Sequence, residues 1–231
     1  MAIKSSALNS EKIIKELKTY KNEKNVIGMA RFGIGGKNVL GGPNIPTLRK
    51  MAKDIKKTVG ESTHEIALEL WESGIHEARI LASMIDDPKK VTAKQMDSWI
   101  KDFDSWDVCD QVSMNLFDST TIAFKKAAEW SMRKPEFEKR AGFALMAALA
   151  NHDNKNNHND ELKKFLPIIL REATDERNFI RKAVNWALRG IGKRNPELKK
   201  EAMKTAEEIL KIDNKTAQWI AKDAIRELKS R

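Results

Sequence analysis

Residues 140–149, RAGFALMAAL, decide the fold, because nine consecutive small or apolar residues there follow one arginine. A similar arrangement returns twice: Lys182-Ala183 opens the stretch AVNWAL, and Asp223-Ala224 opens AIREL. The three arrangements are offset by 42 and 41 residues. The sequence therefore repeats with a period of about 40 residues, which has room for two helices.

The rest of the chain is also patterned as helices. Apolar residues recur at spacings of three and four nearly everywhere after residue 44, and about twelve amphipathic helices are predicted. Runs of alternating β-branched residues, which are typical of strands, are absent from the sequence. Two helices per period are typical of HEAT or armadillo arrays. We therefore expect an all-α fold, a superhelical α-solenoid of about six HEAT-like hairpins forming a single domain over residues 1–231. A helical bundle is the alternative.

Composition excludes several classes of protein. The chain has 231 residues and a single cysteine, Cys109, which rules out an intramolecular disulfide framework and most zinc sites. The four histidines are scattered, so no metal site is predicted. No apolar run approaches the roughly 18 residues of a membrane span, and the first residues do not resemble a signal peptide. We therefore expect a cytoplasmic protein that does not contact a membrane.

The charge is distributed in three blocks. The formal net charge is +10, and it divides into +9 over residues 1–60, −8 over residues 61–120 and +9 over residues 121–231. A basic excess favours a polyanionic partner, because Lys and Arg displace counterions from phosphates. Solvated, lysine-rich helix faces are the other interpretation of the same counts.

A glycine-rich segment interrupts the helical pattern. Residues 28–42 hold six of the eleven glycines, and we assign a Gly-rich loop to residues 28–43. The segment fails the spacing of a P-loop and of a dinucleotide-binding fingerprint. A flexible connector is the preferred interpretation. Contact of Arg31 or Lys37 with nucleic acid is left open.

The stretch whose residues best suit catalysis is DFDSWDVCDQV, residues 102–112. Trp106 and Asp110 are four residues apart, so they share one face of a helix. An indole face attracts positive charge, and a shielded carboxylate stabilises it, so the pair suits a reaction that develops a cation. From residue types alone, a core tryptophan and acidic residues that favour a helix start are the simpler interpretation. Cys109 is interpreted as a packing residue.

Four stretches, in order, resemble the AlkD-type DNA alkylation repair family, whose members are glycosylases built from HEAT-like repeats. They are GGPNIPTLRKMAKDIKK (41–57), DSWIKDFDSWDVCDQV (97–112), FEKRAGFALMAAL (137–149) and NFIRKAVNWALRGIGKRNP (178–196). The sequence departs from the family where Ser105 replaces the first residue of a tryptophan doublet. Residues 29–32, Met-Ala-Arg-Phe, replace an aromatic residue that family members often carry near the DNA in the first helical pair. The Gly-rich insertion at 33–42 is also longer than expected for the family.

The resemblance implies a DNA glycosylase of base-excision repair, a hydrolase acting on duplex DNA that contains cationic N3- or N7-alkylated purines. Trp106 and Trp186 would contact the deoxyribose, and Asp110 would stabilise the sugar cation and orient water. Arg140 would hold the DNA backbone in a concave, basic-rimmed cleft. The other expected DNA contacts are Arg181, Lys182 and Arg189. No cofactor is implied, and a monomer is expected.

The competing class is a helical-repeat module that binds nucleic acid or protein without catalysis, because a fold does not fix a function. The two classes differ in whether Asp110 acts on a substrate.

Overall fold

The computed structural model describes residues 8–35, 38–152 and 158–230. Within these ranges the chain forms fourteen α-helices, three short 3-10 helices and no strand, so the expected all-α fold is confirmed. The α-helices are α1 Ser10–Thr19, α2 Glu23–Ala30, α3 Ile45–Val59, α4 Thr63–Glu72, α5 His76–Ile85, α6 Ala93–Trp99, α7 Trp106–Asn115, α8 Ala123–Trp130, α9 Glu136–His152, α10 Asn159–Lys163, α11 Phe165–Arg171, α12 Asn178–Lys193, α13 Pro196–Leu210 and α14 Lys215–Lys229. The 3-10 helices are Gly60–Ser62, Ile100–Asp102 and Phe117–Ser119.

The helix α2 departs from the sequence prediction, which placed the start of the Gly-rich loop at residue 28. The side chain of Asn22 accepts a hydrogen bond from the backbone N–H of Asn25 and so begins the helix. No residue of α2 is buried. A helix without a buried stripe has no apolar periodicity, and the sequence pattern therefore does not show it.

The chain divides into two compact units, Met1–Thr92 and Ala93–Arg231. The predicted organisation as a single domain stays a prediction. In the first unit α4 packs on α5, α3 packs on α5, and α1 packs on α4. The core of this unit is formed by fully or nearly fully buried apolar side chains, among them Leu17, Leu48, Leu70, Trp71 and Leu81.

The second unit is organised around α9, which packs on α7, α8 and, most extensively, α12. Its residues 140–150 are all buried, which explains why the stretch is apolar on every side. Small residues permit close approach to neighbouring backbone. A Cβ at position 142 would lie 2.5 Å from the backbone nitrogen of Ser131, so Gly142 is required where α9 meets the end of α8.

The predicted repeat corresponds to three helices of this unit. Residues 140, 182 and 223 lie on α9, α12 and α14, and α12 contacts both of the others. The helix α13 packs on both α12 and α14. Pairs of helices therefore alternate along the second unit, as a helical repeat requires.

Candidate active site

The helix α7 carries the two residues that the sequence singled out. It begins at Trp106, after the extended residue Ser105, and buries Val108, Cys109 and Val112. These three residues recur at helical spacing, so they fix which side of the helix faces the core. Trp106 and Asp110 lie off the fully buried side and are half-buried. The local sequence therefore presents the indole and the carboxylate one helical turn apart, as expected.

The carboxylate of Asp110 is held by Arg140 of α9. Arg140 Nε donates to Asp110 Oδ1 over 3.0 Å, and Arg140 Nη2 donates to Oδ2 over 2.8 Å. The side chains of Asp110 and Arg140 are 14% and 6% exposed, so this bidentate ion pair is shielded from water. Arg140 Nη1 also donates to the backbone carbonyl of Phe179 on α12 over 2.5 Å. One arginine therefore joins α7, α9 and α12.

The ion pair determines the electrostatics of the site. Burial raises the pKa of Asp110 above its ordinary value, and the charge and hydrogen bonds of Arg140 oppose this rise. Burial acts to lower the pKa of Arg140, but the Asp110 carboxylate outweighs it and raises that pKa. A buried carboxylate in this position depends on its arginine to remain ionised.

Cys109, the neighbour of Asp110, lies in an environment that disfavours its thiolate. Burial, reinforced by the negative charge of Asp110, raises the pKa of its thiol well above the ordinary value. Its sulfur lies 3.9 Å from the backbone carbonyl oxygen of Phe137. Because only the thiolate is an effective nucleophile, the residue serves packing between α7 and α9.

The second predicted tryptophan, Trp186, lies on α12 and is half-buried. It follows Phe179 by seven residues, or about two helical turns, so both residues project from the same side of α12. The Asp110–Arg140–Phe179 connection joins the helix of Trp106 to the helix of Trp186. Neither indole is fully buried, and both roles at a deoxyribose stay predictions.

Arg140 was expected to hold the DNA backbone, and the structure places it among protein partners. Three of its five N–H groups donate to Asp110 and Phe179, and the whole residue is 5% exposed. Its contact with DNA stays a prediction, and its position beside the carboxylate is the new finding.

The expected DNA contacts on α12 differ in their surroundings. Lys182 is exposed. Arg189 is engaged by α14: its Nη1 hydrogen-bonds Glu227 and lies 3.6 Å from Asp223 Oδ2. Arg181 packs its guanidinium over the ring of Trp219, 5.1 Å from the centroid. The contact of each with DNA remains untested.

Further polar contacts continue this pattern between α12 and α14. Asn185 Nδ2 donates to Asp223 Oδ2 over 2.7 Å, and Lys193 pairs with Glu227. Partners on both helices advance in the same direction at steps of about four residues, so the two helices run parallel. We call this set the α12–α14 ladder; its members are Arg181, Asn185, Arg189 and Lys193 with Trp219, Asp223 and Glu227.

The described part of the Gly-rich segment binds a carboxylate on another helix of the protein. The backbone N–H of Leu40 donates to Glu77 over 2.9 Å, and that of Gly41 donates over 2.6 Å. Glu77 lies on α5 and is 3% exposed. The backbone donors that would face a phosphate in a cradle thus bind an internal carboxylate. Gly36 and Lys37 lie outside the described residues, so the predicted contact of Lys37 is not addressed.

Sequence reasoning missed three features of these sites: the partnership of Asp110 with Arg140, the role of Glu77, and the α12–α14 ladder. The first two join residues 30 or more positions apart, and no local spacing signals them. The ladder does leave a signal. Amide or basic residues at 185, 189 and 193 face acids at 223 and 227, and both sets recur every four residues.

Features of two other classes of site are not seen in the described part of the chain. Across the described residues, no group of three or more His, Cys, Asp or Glu side chains is placed to hold a metal ion. In the same part of the chain, no helix combines the length and the apolar character needed to cross a membrane.

The helical repeat defines the fold class of the protein, and comparison with known proteins gives its family. A family model described as DNA alkylation repair enzyme matches residues 13–228, and the chain belongs to this family. A solved structure is also similar, with a TM-score of 0.75 and 21% identity over 95% of both chains. It is described as a member of a new family of proteins related to the HEAT-like repeat DNA glycosylases with affinity for branched DNA structures. That likeness confirms the HEAT-like fold. No curated protein matches the chain.

Proposed function

We propose that this protein is a DNA N-glycosylase that hydrolyses the glycosidic bond of cationic N3- or N7-alkylated purines in duplex DNA. The observation that carries the proposal is the shielded carboxylate of Asp110, held by a bidentate arginine and placed one helical turn after Trp106. Membership in the DNA alkylation repair enzyme family supports the substrate class. The expected monomer and its cytoplasmic location belong to this proposal.

The chemistry follows from the charge of the substrate. The bond between C1′ and the purine nitrogen breaks with its electron pair going to the base, which leaves as a neutral molecule. The sugar retains a positive charge, water adds to C1′, and the water proton is lost to Asp110 or to solvent. A protonating acid is unnecessary, in contrast to glycosidases that require two carboxyl groups.

Arg140 is assigned as a positioning residue. Each carboxylate oxygen has two lone pairs, and the bidentate arginine occupies one on each. The remaining lone pairs are available to the sugar cation and to the attacking water. The arginine also keeps Asp110 ionised, which the stabilisation of a cation requires. The faces of Trp106 and Trp186 would add attraction for the positive sugar.

The experiment is a single-turnover assay of base release from duplex DNA with one N7-methylguanine. The wild-type protein should release free base well above the spontaneous rate, and Asp110→Asn should lose about 100-fold or more of that rate. Asp97→Asn is the matched control, because Asp97 is also paired with a cation, Lys126 Nζ at 2.6 Å, but lies on α6. It should retain activity within a few fold.

A non-catalytic DNA-binding module is the second candidate. It is favoured by the fact that both oxygens of Asp110 already accept hydrogen bonds from Arg140, so that the pair alone accounts for a connection between α7 and α9. In that case the folded wild type would bind DNA but release no base above the spontaneous rate. Asp110→Asn with unchanged release would remove Asp110 from the mechanism.

A further inference from the structure

The α12–α14 ladder ends in an exposed aromatic side chain. Trp219 is 39% exposed, although it lies on a helix that buries Ala217, Ile220 and Ala224. Its position is off the side of α14 that faces the core. A large indole in this position contributes only part of its apolar area to folding, so its remaining area is available to a partner.

Arg181 of α12 holds this indole in place. Its guanidinium lies 5.1 Å from the ring centroid of Trp219, and its Nη2 donates to Asn178 Oδ1 over 3.2 Å. The buried Nε of Arg181 has no hydrogen-bond partner among the described residues. The position over the ring and one hydrogen bond to Asn178 therefore place the guanidinium. The two side chains form a preorganised platform of one aromatic and one cationic plane, which we call the Trp219 platform.

The surface next to the platform is basic. Lys215, Lys222 and Arg226 are exposed and lie four residues before, three after and seven after Trp219, so they share its side of α14. Lys182 is exposed beside Arg181 on α12. Arg226 pairs with Asp223, and Glu227 is engaged by Arg189 and Lys193. The basic charge of this surface is therefore carried by the exposed Lys182, Lys215 and Lys222.

We propose that the Trp219 platform binds an unpaired DNA base, at a position other than the Asp110 site. Every base has a π-face, so an exposed indole accepts a base by stacking without reading its sequence. The neighbouring lysines are suited to the phosphates on either side of that base. A base within a duplex is already stacked on both faces, and only an unpaired base is free to stack on Trp219. This inference rests on one part of the proposed function, namely that the partner is DNA.

The test compares two DNA probes with the full-length protein at one fixed salt concentration. One is a duplex with a single-nucleotide thymidine bulge, and the other is the same duplex without the bulge. Trp219→Ala should weaken binding to the bulged probe by about ten-fold or more, the loss of one base–aromatic stack. Binding to the paired probe should change less than about two-fold, since electrostatic contacts dominate there.

Two variants serve as controls. Trp219→Phe keeps an aromatic face and should retain most of the preference for the bulged probe. Leu210→Ala removes another exposed apolar side chain, on α13, and should leave both affinities unchanged. A bulge carrying 5-iododeoxyuridine should crosslink to Trp219 on irradiation, and peptide mapping locates the crosslink.

The result that overturns the inference is an equal loss on both probes, no loss on either, or a crosslink that maps elsewhere. The probes contain no alkylated base, so the outcome does not depend on glycosylase activity. A protein that prefers the bulge through Trp219 but releases no N7-methylguanine would refute the proposed function alone. A protein that releases the base but shows no effect of Trp219 would refute the platform alone.

Discussion

The ion pair between Asp110 and Arg140 makes a quantitative prediction about stability. Asp110→Asn removes one charge and leaves the guanidinium of a 5% exposed arginine without its counter-ion. Breaking a buried pair from one side costs about 3–5 kcal/mol, because the surviving charge is not solvated. Arg140→Met should cost a similar amount. It deletes the two hydrogen bonds to Asp110 and the one to Phe179, and it leaves a buried carboxyl that must protonate.

The double variant separates pairing from packing. Once both charges are gone, no uncompensated charge remains, so the double variant should cost much less than the sum of the two single variants. We expect a coupling free energy of about 2 kcal/mol or more. Urea unfolding followed by tryptophan fluorescence measures it, since five of the six tryptophans lie within residues 93–231. The signal therefore reports mainly on the unit that contains the pair.

A solvent-exposed pair provides the contrast. Asp160 and Lys163 form an ion pair of 3.3 Å in which the aspartate side chain is 85% exposed, and Asp160→Asn should leave the urea midpoint nearly unchanged. Additive costs for Asp110→Asn and Arg140→Met would show that the two side chains do not depend on each other. A loss below about 1 kcal/mol for Asp110→Asn would show that the site is too wet for the ion pair to matter. Either result would also weaken the assignment of Arg140 as a positioning residue.

Three other predictions concern stability, pH and DNA affinity. Gly42→Ala should destabilise the first unit by about 1–3 kcal/mol in urea unfolding, because its Cβ would lie 1.8 Å from the carbonyl oxygen of Tyr20; Gly28→Ala, with open space around it, should not. Burial acts to raise the pKa of Asp175, but hydrogen bonds from its basic neighbours lower it to about 2. Its stabilisation, about 1–2 kcal/mol, should be present above about pH 4 and lost as pH falls toward 2, and Asp175→Asn should show a smaller loss over that interval. Lys182→Ala should lower the slope of log K against log salt for duplex binding by about one, and an unchanged slope would remove that lysine from the DNA contacts.

Much of the fold could be predicted from the sequence, because a helix that buries one side carries apolar residues at a regular spacing. The helices α12 and α14 each bury an apolar stripe, α9 is buried on every side over residues 140–150, and the repeat near 40 residues that they form is visible in the chain. The helix α2 buries nothing, so no pattern could reveal it. Lys164 separates α10 from α11. A break of one residue leaves the apolar spacing almost intact, which is why the pattern did not indicate it.

The candidate site was predictable only where it is local. Trp106 and Asp110 are four residues apart on one helix, and that spacing fixes their proximity. Arg140 reaches Asp110 from another helix, 30 residues away, and the resemblance to the repair family gave it a role toward DNA rather than toward the carboxylate. Tertiary packing determines that Arg140 pairs with Asp110, and this pairing cannot be predicted from a single sequence.

Charge shows the same difference between sequence and structure. The basic excess of residues 121–231 suggested a general hold on phosphates, but several of its cations are engaged by acids of the protein. Arg140 pairs with Asp110, Arg189 with Glu227, and Lys139 Nζ lies 3.0 Å from Asp175. The cations that stay exposed include Lys182 and the side of α14 around Trp219. Exposed cations such as Lys182, Lys215 and Lys222 are therefore available to DNA, whereas the charge near Asp110 maintains a carboxylate. An enzyme that must hold a polyanion and stabilise a cation needs this separation, because a free cation beside the sugar would oppose the positive charge that the reaction creates.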